Sequence, residues 1–325
     1  MFTRDTVTLP ANSLNWAAVT IIEHSTTRLI PNAGSDELFV TGLISCVSND
    51  DFVQVNTDAE KLAKVLKEVD SKSSHLLPCH GLVTRESDSP MEPSSIELVF
   101  RLPFTGAYPT SLRQMLLQHP RASLNSVFRI AQNLASAVSS LYNFGFTHKN
   151  IRPETILLFP TGKGTPELGA FLLGVDILQS GDTAWERNLY RHPTRQGLYV
   201  NDKHVMQHDI YSMGVSLLEL GLWKSFIQYS SEGTTPLKLT LGDLVISESD
   251  LDSPTKVKDH LITIARSKLP FIVAPTYAAV VNTCLTCLDM DNVFALEEDM
   301  SDEDPILLGM GYFQAVLDPL LKLSV

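Results

Sequence analysis

Along this 325-residue chain the apolar positions change period partway, and the change predicts two kinds of architecture in succession. Over the first hundred residues the apolar runs are short and β-branched. AAVTIIE (17–23), ELFVTGLISCV (37–47) and DFVQVN (51–56) are bounded by Asn, Asp, Gly or Ser, and each reads as a strand. One helix is expected next, with Asp58 placed to cap a segment whose positions Leu62, Val65, Leu66 and Val69 follow helical spacing. HLLPCHGLV (75–83) and SIELVFRLP (95–103) read as two more strands on either side of the turn-rich TRESDSPMEPSS. The expected order is three strands, one helix, two strands.

Beyond Pro109 the period becomes helical. TSLRQMLLQ (110–118) reads as a short helix, and LNSVFRIAQNLASAVSSLYNFG (124–145) as a long one with Val127, Ile130, Leu134, Val138 and Leu141 on one face. Gly145 is a natural stop for it. HDIYSMGVSLLELGLW (208–223) is a further long apolar helix. The fold class is therefore α+β, with a strand-rich part over 1–104, a helical part over 105–296 and an extension over 297–325.

Composition narrows the function classes. A formal net charge of -12 argues against a surface built to hold nucleic acid or anionic lipid. No basic leader with an apolar core opens the chain, and no run of about 18 apolar residues occurs, so a cytoplasmic protein that is not membrane-bound is expected. Four cysteines are too few for a disulfide scaffold. Cys284 and Cys287 form a CxxC, but neither Cys46 nor Cys79 supplies a second pair for zinc, and two buried helical thiols are the expectation.

The segment HKNIRPETILL (148–158), after a long helix and a Gly, resembles the catalytic loop of eukaryotic protein kinases, H-R-D-L-x-x-x-N before an apolar strand. LLGVDIL stands at the spacing of the D-F-G segment, YRHP (190–193) at that of A-P-E, and HDIYSMGVSLLEL at the helix that begins D-x-W-S-x-G. Four pieces in order, over about residues 15–290, imply a bilobal protein-kinase-like fold. LLPCHGLV, PTSLRQMLL, YRHPTRQG and ELGLWKSF resemble more narrowly the kinase-like domains of fungal proteins that accompany HeLo-type heterokaryon-incompatibility and related immune-receptor modules.

Phosphoryl transfer needs a base to orient the attacking hydroxyl and ligands to hold the metal and phosphates. The resemblance puts Asn150 at the base position, Thr155 at the metal-binding Asn position and Gly174 at the D-F-G Asp position, so all three are degenerate. Between the first two expected strands IPNAGSDE offers a single Gly in place of G-x-G-x-x-G. At the V-A-I-K lysine the third expected strand has Asn56, with Lys61, Lys64 or Lys67 as alternatives and Glu60 or Glu68 as the partner; solvated charges on an amphipathic helix are the simpler reading. His148 and Asp209 are the retained scaffold positions, Asp209 holding the loop backbone or, alternatively, capping a helix.

The expected function is thus that of a pseudokinase, a regulatory or interaction module with a protein partner and no cofactor. The alternative is an atypical kinase or ATP-binding protein, with Mg²⁺ shifted to Asp176. The apolar Leu172, Leu173 and Val175 around Gly174, with Phe100 as a gate, are expected to fill the adenine space. EEDMSDED (297–304) carries six of the carboxylates; without them the formal charge would be -6. The apolar segment after it is expected to dock through Leu307, Leu308, Phe313, Val316 and Leu317, on the body or on a partner.

Overall fold

The computed structural model describes residues 7–45, 49–85, 94–104, 106, 108–118, 120–160, 168–175, 185–196, 204–230, 235–240, 253–294 and 305–324. It is a mixed α+β structure. Strands β1 (Thr20–Ile21), β2 (Thr27–Pro31), β3 (Leu38–Ser45), β4 (Cys79–Arg85) and β5 (Ser95–Arg101) form one antiparallel sheet in the order β1-β2-β3-β5-β4. Helix α1 (Asn49–Lys67) and the short α2 (Ser71–Ser74) lie between β3 and β4 in sequence, and α1 packs on β4 and β5.

The order of three strands, helix, two strands is present, but two of the segments differ from those expected. Residues 51–56 are helical, because Phe52, Val55, Ala59, Leu62, Ala63 and Leu66 form one continuous apolar stripe. Burial of that stripe outweighs the β preference of two valines. Asp58 is accordingly no cap: it sits in mid-helix, accepting from Gln54 Nε2 at 2.8 Å and Lys61 Nζ at 3.0 Å. In the larger sheet the strand missed by the sequence pattern is β2, which is short and follows the polar run His24–Thr26. Within 17–23 only Thr20–Ile21 is strand, after a turn of 3₁₀ helix at Trp16–Ala18.

The helical part contains α3 (Leu112–Gln118), α4 (Leu124–Asn143), α5 (Trp185–Asn188), α6 (Met206–Leu222), α7 (Pro254–Ile272) and α8 (Pro275–Leu285). Ser123 caps α4 by accepting from the Ser126 N–H at 3.2 Å, and Gly145, at φ +82°, ends its run. Beside α4 stands a small sheet of β6 (Thr110–Ser111), β7 (Ile156–Pro160) and β8 (Leu168–Leu172), while β9 (Ile227–Tyr229) pairs with β10 (Pro236–Leu239). Helix α6 is buried on nearly every face, packing on α4, α7 and α8. Gly214 lets α8 approach closely: a Cβ there would stand 2.7 Å from Cys284 Cβ.

Cys79, Cys284 and Cys287 are buried free thiols; Cys46 lies outside the described residues. Burial pushes Cys287 up to about 12, its Sγ donating to the Gln207 carbonyl. No described helix is long and apolar enough to cross a membrane.

The closing segment docks on the body through α9 (Pro305–Tyr312), a π-helical turn at Phe313–Leu317 and α10 (Asp318–Leu321). Tyr312, Val316 and Leu320 are its buried residues; Leu308 and Leu317 are half-buried, and Leu307 and Phe313 are exposed rather than anchoring. Tyr312 Oη donates to the Ala135 carbonyl at 2.9 Å, and Gln132 Nε2 donates to the Leu320 carbonyl at 2.9 Å.

Candidate functional site

Three segments converge beneath the larger sheet: the 148–155 loop, the end of β8 through Val175, and the turn Ile22–Thr26 that joins β1 to β2. The loop is held from below by Asp209 in the first turn of α6. Its Oδ2 accepts from the His148 N–H at 2.5 Å and its Oδ1 from the Lys149 N–H at 2.8 Å. Two successive backbone donors on one carboxylate fix a sharp turn, which Lys149 completes at φ +64°. Burial alone would raise the Asp209 carboxyl, but the His204 imidazole at 3.1 Å, His148 and the backbone donor outweigh it and hold it below the usual range.

His148 is fully buried, and burial lowers its pKa to about 4. The neutral ring has one arrangement that satisfies both neighbours: Nε2–H donates to the Leu173 carbonyl at 2.9 Å, and Nδ1 accepts from the Asn150 N–H at 3.3 Å. It therefore joins the loop to the end of β8. His192 and His208 are also buried, and burial drives them to about 4 and about 3 respectively. In the unfolded chain all three rings take up a proton below about pH 6.5, but in the folded chain only near pH 3 to 4. Stability is therefore full above about pH 6.5 and lost as pH falls, by about 2 kcal/mol at pH 5 for His148 alone. Urea midpoints measured between pH 7.5 and pH 5 are expected to fall steeply; a flat profile would contradict the buried neutral rings.

The three degenerate positions are engaged in this internal network. Asn150 donates from Nδ2 to the Gly174 carbonyl at 3.2 Å and accepts on Oδ1 from Arg152 Nε at 3.0 Å. Thr155 is fully buried; its Oγ1 lies 2.9 Å from both the Asn150 and Arg152 carbonyl oxygens and accepts the Arg152 N–H at 3.1 Å. Gly174 adopts φ +75°, and a Cβ there would meet Thr26 Oγ1 at 3.0 Å and Thr155 Cγ2 at 3.1 Å. Asp176 lies outside the described residues.

The β1–β2 turn closes the site from above. Ser25 Oγ donates to the Glu154 carbonyl at 3.0 Å, and the Thr26 N–H reaches the same oxygen at 3.3 Å. Ser111 Oγ donates to the Glu23 carbonyl at 2.8 Å, and the His24 ring meets Tyr229 edge-on at 4.7 Å between centroids. Gly42 of β3 completes the lid: a Cβ there would lie 3.9 Å from the Gly174 backbone and from the Phe100 ring. Leu172, Leu173 and Phe100 are buried beside it, and Val175 is half-buried. The gap between sheet and loop at this point has the width of a methyl group.

The nucleotide-gripping groups fare likewise. The first hairpin turn is 22–26 rather than 30–37, and it contains no glycine. Asn56 is in α1, donating to Glu60 at 3.1 Å, so it is not a third-strand residue at all. Lys61, Lys64 and Lys67 are exposed on the same helix, and Glu68 is exposed in the turn just after it. Gly174 carries no side chain that could ligate a metal ion, and Thr155 is fully buried with its Oγ1 engaged in the loop's own hydrogen bonds. Among the described residues no group of three or more His, Cys, Asp or Glu side chains is placed to hold a metal ion.

Beside the loop lies a charge cluster that the sequence pattern did not single out. Arg113 of α3, fully buried, donates through Nε to Glu154 Oε1 at 2.8 Å and through Nη1 to Glu219 Oε1 at 2.6 Å. Tyr229 Oη donates to Glu154 Oε1 at 2.7 Å, and Tyr190 Oη to Glu219 Oε2 at 2.6 Å. Burial would raise Glu154, but Arg113 and then Arg152 outweigh it and bring it to about 2. Glu219 is pushed up by burial, against four donors that favour its ionised form: Arg113 Nη1 and Nη2, Tyr190 Oη and the Phe226 N–H. The available signal was charge set inside three apolar runs, Arg113 in SLRQMLL, Arg152 and Glu154 in IRPETILL and Glu219 in SLLELGL, since a charge so placed requires a buried partner. No protein-family model matches the chain.

Proposed function

We propose that the chain is a bilobal, kinase-like pseudokinase: it transfers no phosphate and serves as a regulatory or protein-interaction module in the cytoplasm. The observation that carries this reading is Gly174, which has no side chain, adopts φ +75° and would crowd an added Cβ against Thr26 Oγ1 at 3.0 Å and Thr155 Cγ2 at 3.1 Å. Supporting it are the placement of Asn150 and Thr155 in internal hydrogen bonds, and the seating of the β1–β2 turn on Glu154. The five-stranded antiparallel sheet, with its helix inserted before the last two strands, supports the kinase-like part of the reading. The geometry at Asp209 supports a role in shaping the 148–155 loop.

On this reading the chain keeps those parts of the fold that hold a loop in place and has lost those that hold a nucleotide. A signalling role in fungal incompatibility or immunity is the setting that the sequence resemblance suggests. Calorimetric titration of the chain with ATP and Mg²⁺ tests the loss.

A further inference from the structure

Three imidazole rings gather where the segment 185–196 meets the start of α6. Between centroids, the His208 ring lies 5.0 Å from that of His204 and 6.2 Å from that of His192, and His192 meets the Tyr211 ring edge-on at 5.1 Å. Two of the three accept a backbone donor at the start of a helical turn. His192 Nδ1 takes the Thr194 N–H at 3.3 Å and so caps the 3₁₀ turn Pro193–Arg195. His208 Nδ1 takes the Val205 N–H at 3.0 Å, closing the first turn of α6 from within. Ser212 Oγ also joins the two segments, 2.6 Å from the Tyr190 carbonyl oxygen.

Each of the two caps uses the lone pair that a proton would take. A ring protonated at Nδ1 turns its acceptor into a donor that faces another N–H. The second nitrogen gives His192 no relief, because Nε2 is buried with no hydrogen-bond partner among the described residues. Burial is the main bar to a charged ring, with His192 6% and His208 5% exposed. Nearby charge adds to it. His192 faces the Lys258 ammonium of α7, offset by Asp289 after α8, while Tyr211 beside it stays neutral. His208 faces His204, Arg195 and His192, offset by Asp209, and it stands at the positive end of the α6 dipole.

We propose that His192 and His208 are an acid-sensitive clasp, which holds the 185–196 segment on the start of α6 and releases it as pH falls while the sheets and the long helices stay folded. The whole chain loses stability in acid through all its buried rings; the two caps concentrate the first loss at Thr194 and Val205. A ring that is neutral when closed and has the ordinary value of about 6.5 when open favours opening by about 30-fold at pH 5, and two rings by on the order of 10³-fold. The release reaches the 148–155 loop as well, because Asp209 follows His208 and holds the His148 and Lys149 N–H groups. The inference stands whether or not the cleft beneath the sheet binds nucleotide.

The test is hydrogen exchange on the full chain at pH 7.5 and pH 5, corrected for the intrinsic rate and read at the Thr194 and Val205 amides and in the middle of α4. The first two are expected to lose protection by about 30-fold or more, with the α4 amides remaining at least tenfold better protected. In His192→Asn with His208→Gln the side-chain carbonyl oxygen accepts the same N–H without titrating. That variant is expected to melt close to the parent at pH 7.5 and to show less than a threefold loss at both amides. Each single variant is expected to keep about a 30-fold loss from the ring that remains, and it serves if the double variant does not fold. Three results would overturn the inference: unchanged protection of Thr194 and Val205 at pH 5, a loss there that the α4 amides share equally, or the parent's pH dependence persisting in the variants.

Discussion

Arg113→Met is expected to lower the stability of the folded chain by about 3–5 kcal/mol, a large part of what holds a typical domain together. The guanidinium is fully buried between Glu154 and Glu219, so its removal leaves two carboxylates facing each other without their cation. Arg113→Lys is expected to recover little. A lysine carries one point of charge, whereas this site uses Nε toward Glu154 and Nη1 toward Glu219 and Ser225, three acceptors in a planar fork. Removing the carboxylates as well, in Arg113→Met with Glu154→Gln and Glu219→Gln, is expected to restore part of the loss. Thermal unfolding checks all three, with a fall of roughly 5–15 °C expected for the single Met variant. A single variant within about 1 °C of the parent would contradict the burial of the cluster.

Gly174→Asp, which would place a carboxylate at this position, is expected to destabilise the chain by about 2–5 kcal/mol. A left-handed backbone costs a side-chain-bearing residue roughly 1–2 kcal/mol, and crowding against packed neighbours adds about 1–3 kcal/mol. The neighbours here are Thr26 Oγ1 and Thr155 Cγ2, at 3.0 and 3.1 Å from the added Cβ. Gly174→Ala carries the same Cβ and is expected to lose most of the same stability, which identifies strain rather than charge as the cause. Gly174→Asn, which tolerates positive φ better, is expected to lose less. Chemical denaturation measures each, and Gly174→Asp is expected to show no Mg²⁺-dependent gain. An Asp variant as stable as the parent would contradict the closed site.

Much of the architecture was legible where burial is one-sided. The long helices α4 and α6 announce themselves by apolar spacing, and β3 and β5 by dense β-branched runs. Residues 51–56 misled, because Val53 and Val55 favour strand locally while only the phase of the whole stripe to Leu66 reveals the helix. Strand β2 was hidden for the opposite reason: five residues ending in proline carry little pattern of their own, and pairing with β3 supplies the order.

The candidate site divides in the same way. Its loop positions Asn150, Thr155 and Gly174 could be picked out from sequence, since each has a fixed offset within a short motif. The turn at 22–26 could not, because its role is a contact with Glu154 more than a hundred residues away. Neither could the Arg113 cluster be assembled in advance, although each of its charges stands out within its own apolar run. Long-range polar pairing leaves no periodic trace.

The central claim is that the space beneath the sheet holds no nucleotide, and calorimetric titration with ATP and excess Mg²⁺ addresses it most directly. The account predicts only heats of dilution up to millimolar ATP, with no rise in melting temperature. Saturable one-site binding in the micromolar range, strengthened by Mg²⁺ and raising stability by about 2.7 kcal/mol at a hundredfold excess over Kd, would contradict it.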